Sequence, residues 1–156
     1  MSKGSKSIKR RFTVGFVVAA LALLSSTTSS ANAPASQYTI AGGVVTDNMT
    51  GLKWQQTLSP SSYTFSGAGT YCGGTIASST GWRIPSLREL ATLVDRSKTS
   101  PAIDATAFPS TPSVQFWTSS VNGTYAFWLD FTDGSFNSTD TSYMTPPPTL
   151  RVRCVK

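Results

Sequence analysis

The chain has 156 residues, 13 Lys+Arg against 7 Asp+Glu, a formal net charge of +6, two cysteines and no histidine. Without histidine it lacks the commonest general base and zinc ligand, which argues against nucleophile–base catalysis and against a zinc site. Five of the basic residues fall in the first eleven positions and leave 8 against 7 elsewhere, a net of +1, which excludes a polybasic nucleic-acid surface beyond the N-terminal segment.

Lys3, Lys6, Lys9, Arg10 and Arg11 precede an apolar run from Phe12 to Leu24, followed by small polar residues. This layout reads as a secretory signal peptide over residues 1–35, cut after Ala31 or Ala35. A membrane anchor is the rival reading, and it is disfavoured because a spanning helix wants about 20 apolar residues. The membrane is then a partner only through the transient signal peptide. Residues 36–156 are expected to form a single domain, secreted or periplasmic, with one modest core.

Residues 36–47 carry β-branched residues around Gly42-Gly43 and predict a strand pair with a glycine turn. Asp47 to Gly51 reads as a turn, and Leu52-Lys53-Trp54 begins a short strand. Phe65, Ala68 and Cys72 share a helical face. Glycines at 67, 69, 73 and 74 each cost a helix up to about 1 kcal/mol relative to Ala, so a short helix held by tertiary contacts is expected. In Gly81-Trp82-Arg83-Ile84-Pro85 a strand ends at the proline. Ser86 followed by Glu89 is a capping-box pattern, and Leu87, Leu90, Ala91 and Val94 predict a helix from Leu87 to Arg96.

Residues 101–113 read as a loop. Strands are predicted at 116–120 and 124–131, with a tight turn at Thr132-Asp133-Gly134-Ser135 and a return strand at 135–140. Pro146, Pro147 and Pro148 cannot sit in a sheet centre. The last strand runs from Leu150 to Val155. By alternation, Leu150, Val152 and Cys154 face in, and Arg151 and Arg153 face out. The sum is an α+β domain with two short helices and antiparallel strands.

Cys72 and Cys154 are the cysteines of an exported chain, which favours a disulfide over free thiols or a metal pair. Trp54, Trp82, Trp117 and Trp128 read as core residues. Tyr125 and Tyr143 stand in loop or edge positions, where a ring is free to stack on a ligand.

Several blocks occur in a fixed order: VTDNMTGLKWQQ at 45–56, YTFSGAGTYC at 63–72, GWRIPSLRELATLVDRS at 81–97, PAID at 101–104, FPST at 108–111, FWTSS at 116–120, AFWLDFTDG at 126–134 and VRCV at 152–155. Together they resemble the Lcl C-terminal domain family, a bacterial group named for the end domain of a collagen-like adhesin. The resemblance implies a C-type-lectin-like fold, whose long-range disulfide joins the first helix to the final strand, as Cys72–Cys154 would. It also implies extracellular binding of a glycan or matrix polymer, an adhesive role rather than a catalytic one. Calcium-dependent members of the wider fold use a Glu-Pro-Asn loop, absent here, and a Trp-Asn-Asp strand. In Trp128-Leu129-Asp130 a leucine replaces the asparagine, so no calcium or other metal and no cofactor is expected.

In the resembled fold, ligands meet the long loops and the strands beside them. Tyr125, Asp130, Asp133 and Asn137 are therefore the expected polar or stacking contacts. Arg151 and Arg153, pointing outward, form a second possible face for an anionic polymer. Two other functions compete: a structural or self-assembling envelope module, and a glycosidase with a carboxylate pair drawn from Asp104, Asp130 and Asp133. The sequence assigns no oligomeric state.

Overall fold

The computed structural model describes Met1, residues 37–142 and residues 145–156. The expected signal peptide and Tyr143 lie outside the described residues. Two three-stranded antiparallel sheets and two short helices make an α+β fold. The first sheet is β1 (Tyr38–Ala41), β2 (Val44–Asp47) and β3 (Lys53–Gln55), in that order. Gly42 and Gly43 both adopt positive φ, which is why a glycine pair makes this turn. The second sheet is β4 (Gln115–Asn122), β5 (Tyr125–Asp130) and β6 (Phe136–Asp140).

Helix α1 (Phe65–Cys72) forms despite its glycines because it is anchored at both ends. Thr64 caps its start by accepting the Gly67 N–H. Phe65 packs edge-on against Trp117, with ring centroids 5.7 Å apart. At the other end Cys72 is bonded to Cys154, across 82 residues of sequence.

Helix α2 (Leu87–Ala91) is shorter than its periodicity predicts. The expected run to Arg96 breaks after Ala91 into turns, which bury Leu93 and leave Ala91 exposed. Val94 instead makes a bridge to Ile103, so the chain gives up helix to pair with the long loop. The capping box is formed as expected. The Ser86 hydroxyl accepts the Glu89 N–H at 3.2 Å, and Glu89 accepts the Ser86 N–H at 2.8 Å. Arg83 adds a two-pronged pair with the same carboxylate, at 2.8 and 2.6 Å.

That pair, then burial, then the Ser86 bonds set the Glu89 pKa, and the net result is a value lowered from 4.5 to about 2. A carboxylate held below its ordinary value stabilises the fold above that ordinary value, and the benefit is lost as pH falls through the folded one. Stability should therefore decline between about pH 4.5 and pH 2. In Glu89→Gln this part of the acid-unfolding curve should flatten. Arg83 is half-exposed, so the neutral-pH loss should be about 1 kcal/mol or less. Urea midpoints across that range would check it.

The chain from Leu150 to Lys156 is not the regular outer strand that alternation suggests. It is a seam between the sheets. Arg151 bridges in parallel to Phe116 on one side, and Val155 pairs antiparallel with Trp54 and with Arg83. Lys53 and Lys156 exchange both backbone hydrogen bonds at 2.9 Å. Consecutive side chains of the seam enter different cores. Val152 and Cys154 join Trp82, Ile84, Trp117 and Ala126, whereas Val155 joins Val45, Trp54, Leu90 and Phe116. Because both faces of the seam are covered, Arg153 is fully buried and does not face outward as expected.

Candidate functional site

Arg153 is a structural residue in this arrangement. Its guanidinium donates to the carbonyls of Gln55 and Gln56 at 2.7 and 2.8 Å and to the Thr111 hydroxyl at 2.7 Å. It also sits over the Phe108 ring, 4.8 Å from the centroid. Burial pulls its pKa down to about 9. Arg151 is half-buried and donates to the Ser59 carbonyl at 2.8 Å. The two arginines do not form one outward basic face.

The four expected loop contacts do not form one site either. Tyr125 is exposed at the start of β5, beside the Asn122–Thr124 turn, where it pairs with Asp140 on β6. Asp130 ends the same strand, about 17 Å away at 3.4 Å per residue. Asp130, Asp133 and Asn137 do gather at that end, around the turn joining β5 to β6. Asn137 is exposed and pairs across the sheet with half-buried Trp128. Trp54, Trp82 and Trp117 are buried, as core residues should be.

The β5–β6 turn is fixed by its own polar groups. Asp130 Oδ1 accepts the Thr132 N–H at 2.7 Å, and Asp133 Oδ1 accepts the Ser135 N–H at 2.8 Å. Hydrogen bonding from Ser135, side chain first and backbone second, holds the Asp133 carboxyl below its ordinary range. Gly134 adopts φ +79°, and a Cβ there would lie 2.4 Å from Val94 Cγ1. Only glycine lets the turn seat so closely against the loop that follows α2. The Ser100 N–H donates to the Thr132 carbonyl at 2.9 Å and ties the turn to the chain beyond that loop.

Between the two loops lies a depression of about 350 Å³, lined by Arg96, Asp133, Gly134, Ser135 and Phe136. Phe136 is 62% exposed, an uncommon place for a phenyl ring. Sequence reasoning named Asp133 but missed Arg96 and Phe136. By periodicity Arg96 reads as the end of a helix, and Phe136 as a residue of the return strand. The available signal was an aromatic placed directly after a tight turn.

Asp104, the third candidate carboxylate, accepts the N–H groups of Thr106 and Ala107 at 2.8 and 3.2 Å within its own loop. Among the described residues, no group of three histidine, cysteine or acidic side chains is arranged to hold a metal ion. Nor is any helix among them long and apolar enough to cross a membrane.

These elements define an α+β domain stapled by one buried disulfide, with a polar and aromatic depression at one end of its second sheet. The model of the Lcl C-terminal domain family matches residues 43–156, and the chain belongs to that family. No curated protein and no solved structure matches it.

The block at 81–97 is structural. Trp82 donates its indole N–H to the Ile76 and Ser79 carbonyls at 3.0 and 3.1 Å. Arg83 joins the seam to α2, and Ser86 caps the helix. The block builds the fold and does not line the depression until Arg96.

Proposed function

We propose that this is a non-catalytic binding module with a C-type-lectin-like fold, working outside the cytoplasm on a glycan or matrix polymer. The observation that carries the reading is Phe136. An exposed ring beside Arg96, Asp133 and Ser135 is the combination a sugar needs, an apolar platform for one ring face and polar groups for its hydroxyls. The fold reading rests on the bridge from the end of α1 to the C-terminal seam, which matches the long-range disulfide of lectin-like domains. The extracytoplasmic reading rests on the same bond, because disulfides persist in oxidising compartments. The non-catalytic reading rests on the carboxylates. Asp104, Asp130 and Asp133 each commit an oxygen to backbone N–H groups of their own turns.

A glycan array probed with the wild-type protein and with Phe136→Ala tests the proposal. Binding should fall about tenfold or more in the variant, while the melting temperature stays put because an exposed ring is removed. An array with no binder, together with a stable oligomer in solution, would replace this reading with a self-assembling envelope module. Turnover of a polysaccharide that vanishes in Asp130→Asn or Asp133→Asn would replace it with a glycosidase.

A further inference from the structure

The depression at the β5–β6 turn holds two opposite charges that do not pair with each other. Arg96 is exposed and makes no ion pair among the described residues, although Arg83 and Lys98 nearby in sequence both do. Asp133 gives Oδ1 to the Ser135 N–H and also interacts with the Ser135 hydroxyl, but its carboxylate is exposed and keeps further lone pairs for a ligand. One donor fork and one open acceptor therefore line the same space, with the Phe136 ring beside them.

We infer that this depression reads a vicinal diol on an uncharged sugar ring, with Arg96 donating to one hydroxyl, Asp133 accepting from its neighbour and Phe136 stacking on the ring. The inference rests on the glycan-binding reading above and narrows it to a chemical class. The charges make the selection. An anionic sugar gains Arg96 but meets the Asp133 carboxylate, and a cationic one gains Asp133 but meets the guanidinium. A neutral diol satisfies both, because each hydroxyl both donates and accepts.

The geometry is held before any ligand arrives. Gly134 is pressed against Val94, the Ser135 N–H fixes Asp133, and the Ser100–Thr132 bond ties the turn to neighbouring chain. Little ordering is left for the ligand to impose, and that preserves affinity.

The test uses the folded, disulfide-bonded protein and immobilised neutral polysaccharides, a mannan, a dextran and a galactan, each intact or oxidised with periodate, which cleaves vicinal diols. Sulfated and uronate polymers serve as the charged comparison. At least one intact neutral polymer should bind, and its periodate-treated form should not. Asp133→Asn should weaken binding about tenfold or more, because it replaces one exposed carboxylate oxygen with an amide donor. The amide oxygen can still take the Ser135 N–H, so the melting temperature should hold and a folding defect is separable from a contact defect. Arg96→Gln should weaken binding by a similar factor.

Binding that survives both periodate and Asp133→Asn yet is lost in Phe136→Ala would overturn the diol inference and leave the glycan reading standing. A preference for sulfated or uronate polymers that strengthens in Asp133→Asn would overturn it in favour of an anionic ligand. Absence of any glycan binder would sink both.

Discussion

Replacing Arg153 with alanine should destabilise the domain by about 4 kcal/mol and lower its melting temperature by about 10–20 °C. The side chain is fully buried and gives three hydrogen bonds, to the Gln55 and Gln56 carbonyls and to Thr111. Removing it leaves three inner acceptors without a donor and a void over the Phe108 ring. An unpaired buried acceptor costs about 1–3 kcal/mol, and the void adds to that. Relief from burying a charge offsets part of the loss, which is why the total stays near the size of one large core truncation. Arg153→Lys should recover only a fraction, since an ammonium lacks the planar fork that reaches three acceptors at once. Chemical denaturation of the three proteins would decide it, and a loss below about 1 kcal/mol for alanine would mean that the acceptors find other partners.

The Cys72→Ala/Cys154→Ala double variant should be of the same order. The bridge closes a separation of 82 residues, and the chain-entropy account gives about 4.5 kcal/mol for a loop of that length. Measured losses in natural domains run at about 2–5 kcal/mol, so this figure is near the top of the range. Both cysteines are fully buried, so a mild reductant should act only on molecules that have opened. Unfolding followed with and without reductant, beside the double variant, would separate the two contributions. Equal stability in all three would show that the seam holds without its bond.

Much of the fold was legible because local chemistry agreed with it. The Gly42-Gly43 turn, the Ser86–Glu89 box and the tight turn at 132–135 each state a backbone requirement within a few residues, and the cysteine pair is legible because the described residues hold no other thiol. What failed was set by distant chain. Leu87 to Val94 has helical periodicity, but the Val94 bridge to Ile103 ends the helix early. Arg151 and Arg153 alternate with apolar residues as surface side chains do. Alternation reports which side a residue faces and not what covers that side, and here β3, the Thr111 loop and Phe108 cover it. The site was half legible for the same reason. Asp133 announces a turn, whereas Arg96 joins it only through the packing of Gly134 on Val94, a contact between segments about 40 residues apart.

The seam also sets an order of events. Its partners lie far back along the chain: the bond from the Cys154 N–H to Gln55 spans 99 residues, and Arg153 reaches 98 residues back to the same glutamine. Residues 150–156 bridge to the first sheet, to Arg83 and to β4. A chain whose last segment is still inside a ribosome tunnel or a translocation pore therefore cannot close this fold, however long the earlier strands have been free. Contacts this distant in sequence also slow the search for the native state. For a domain that works outside the cytoplasm, as proposed above, both effects would keep it threadable until residues 150–156 have crossed.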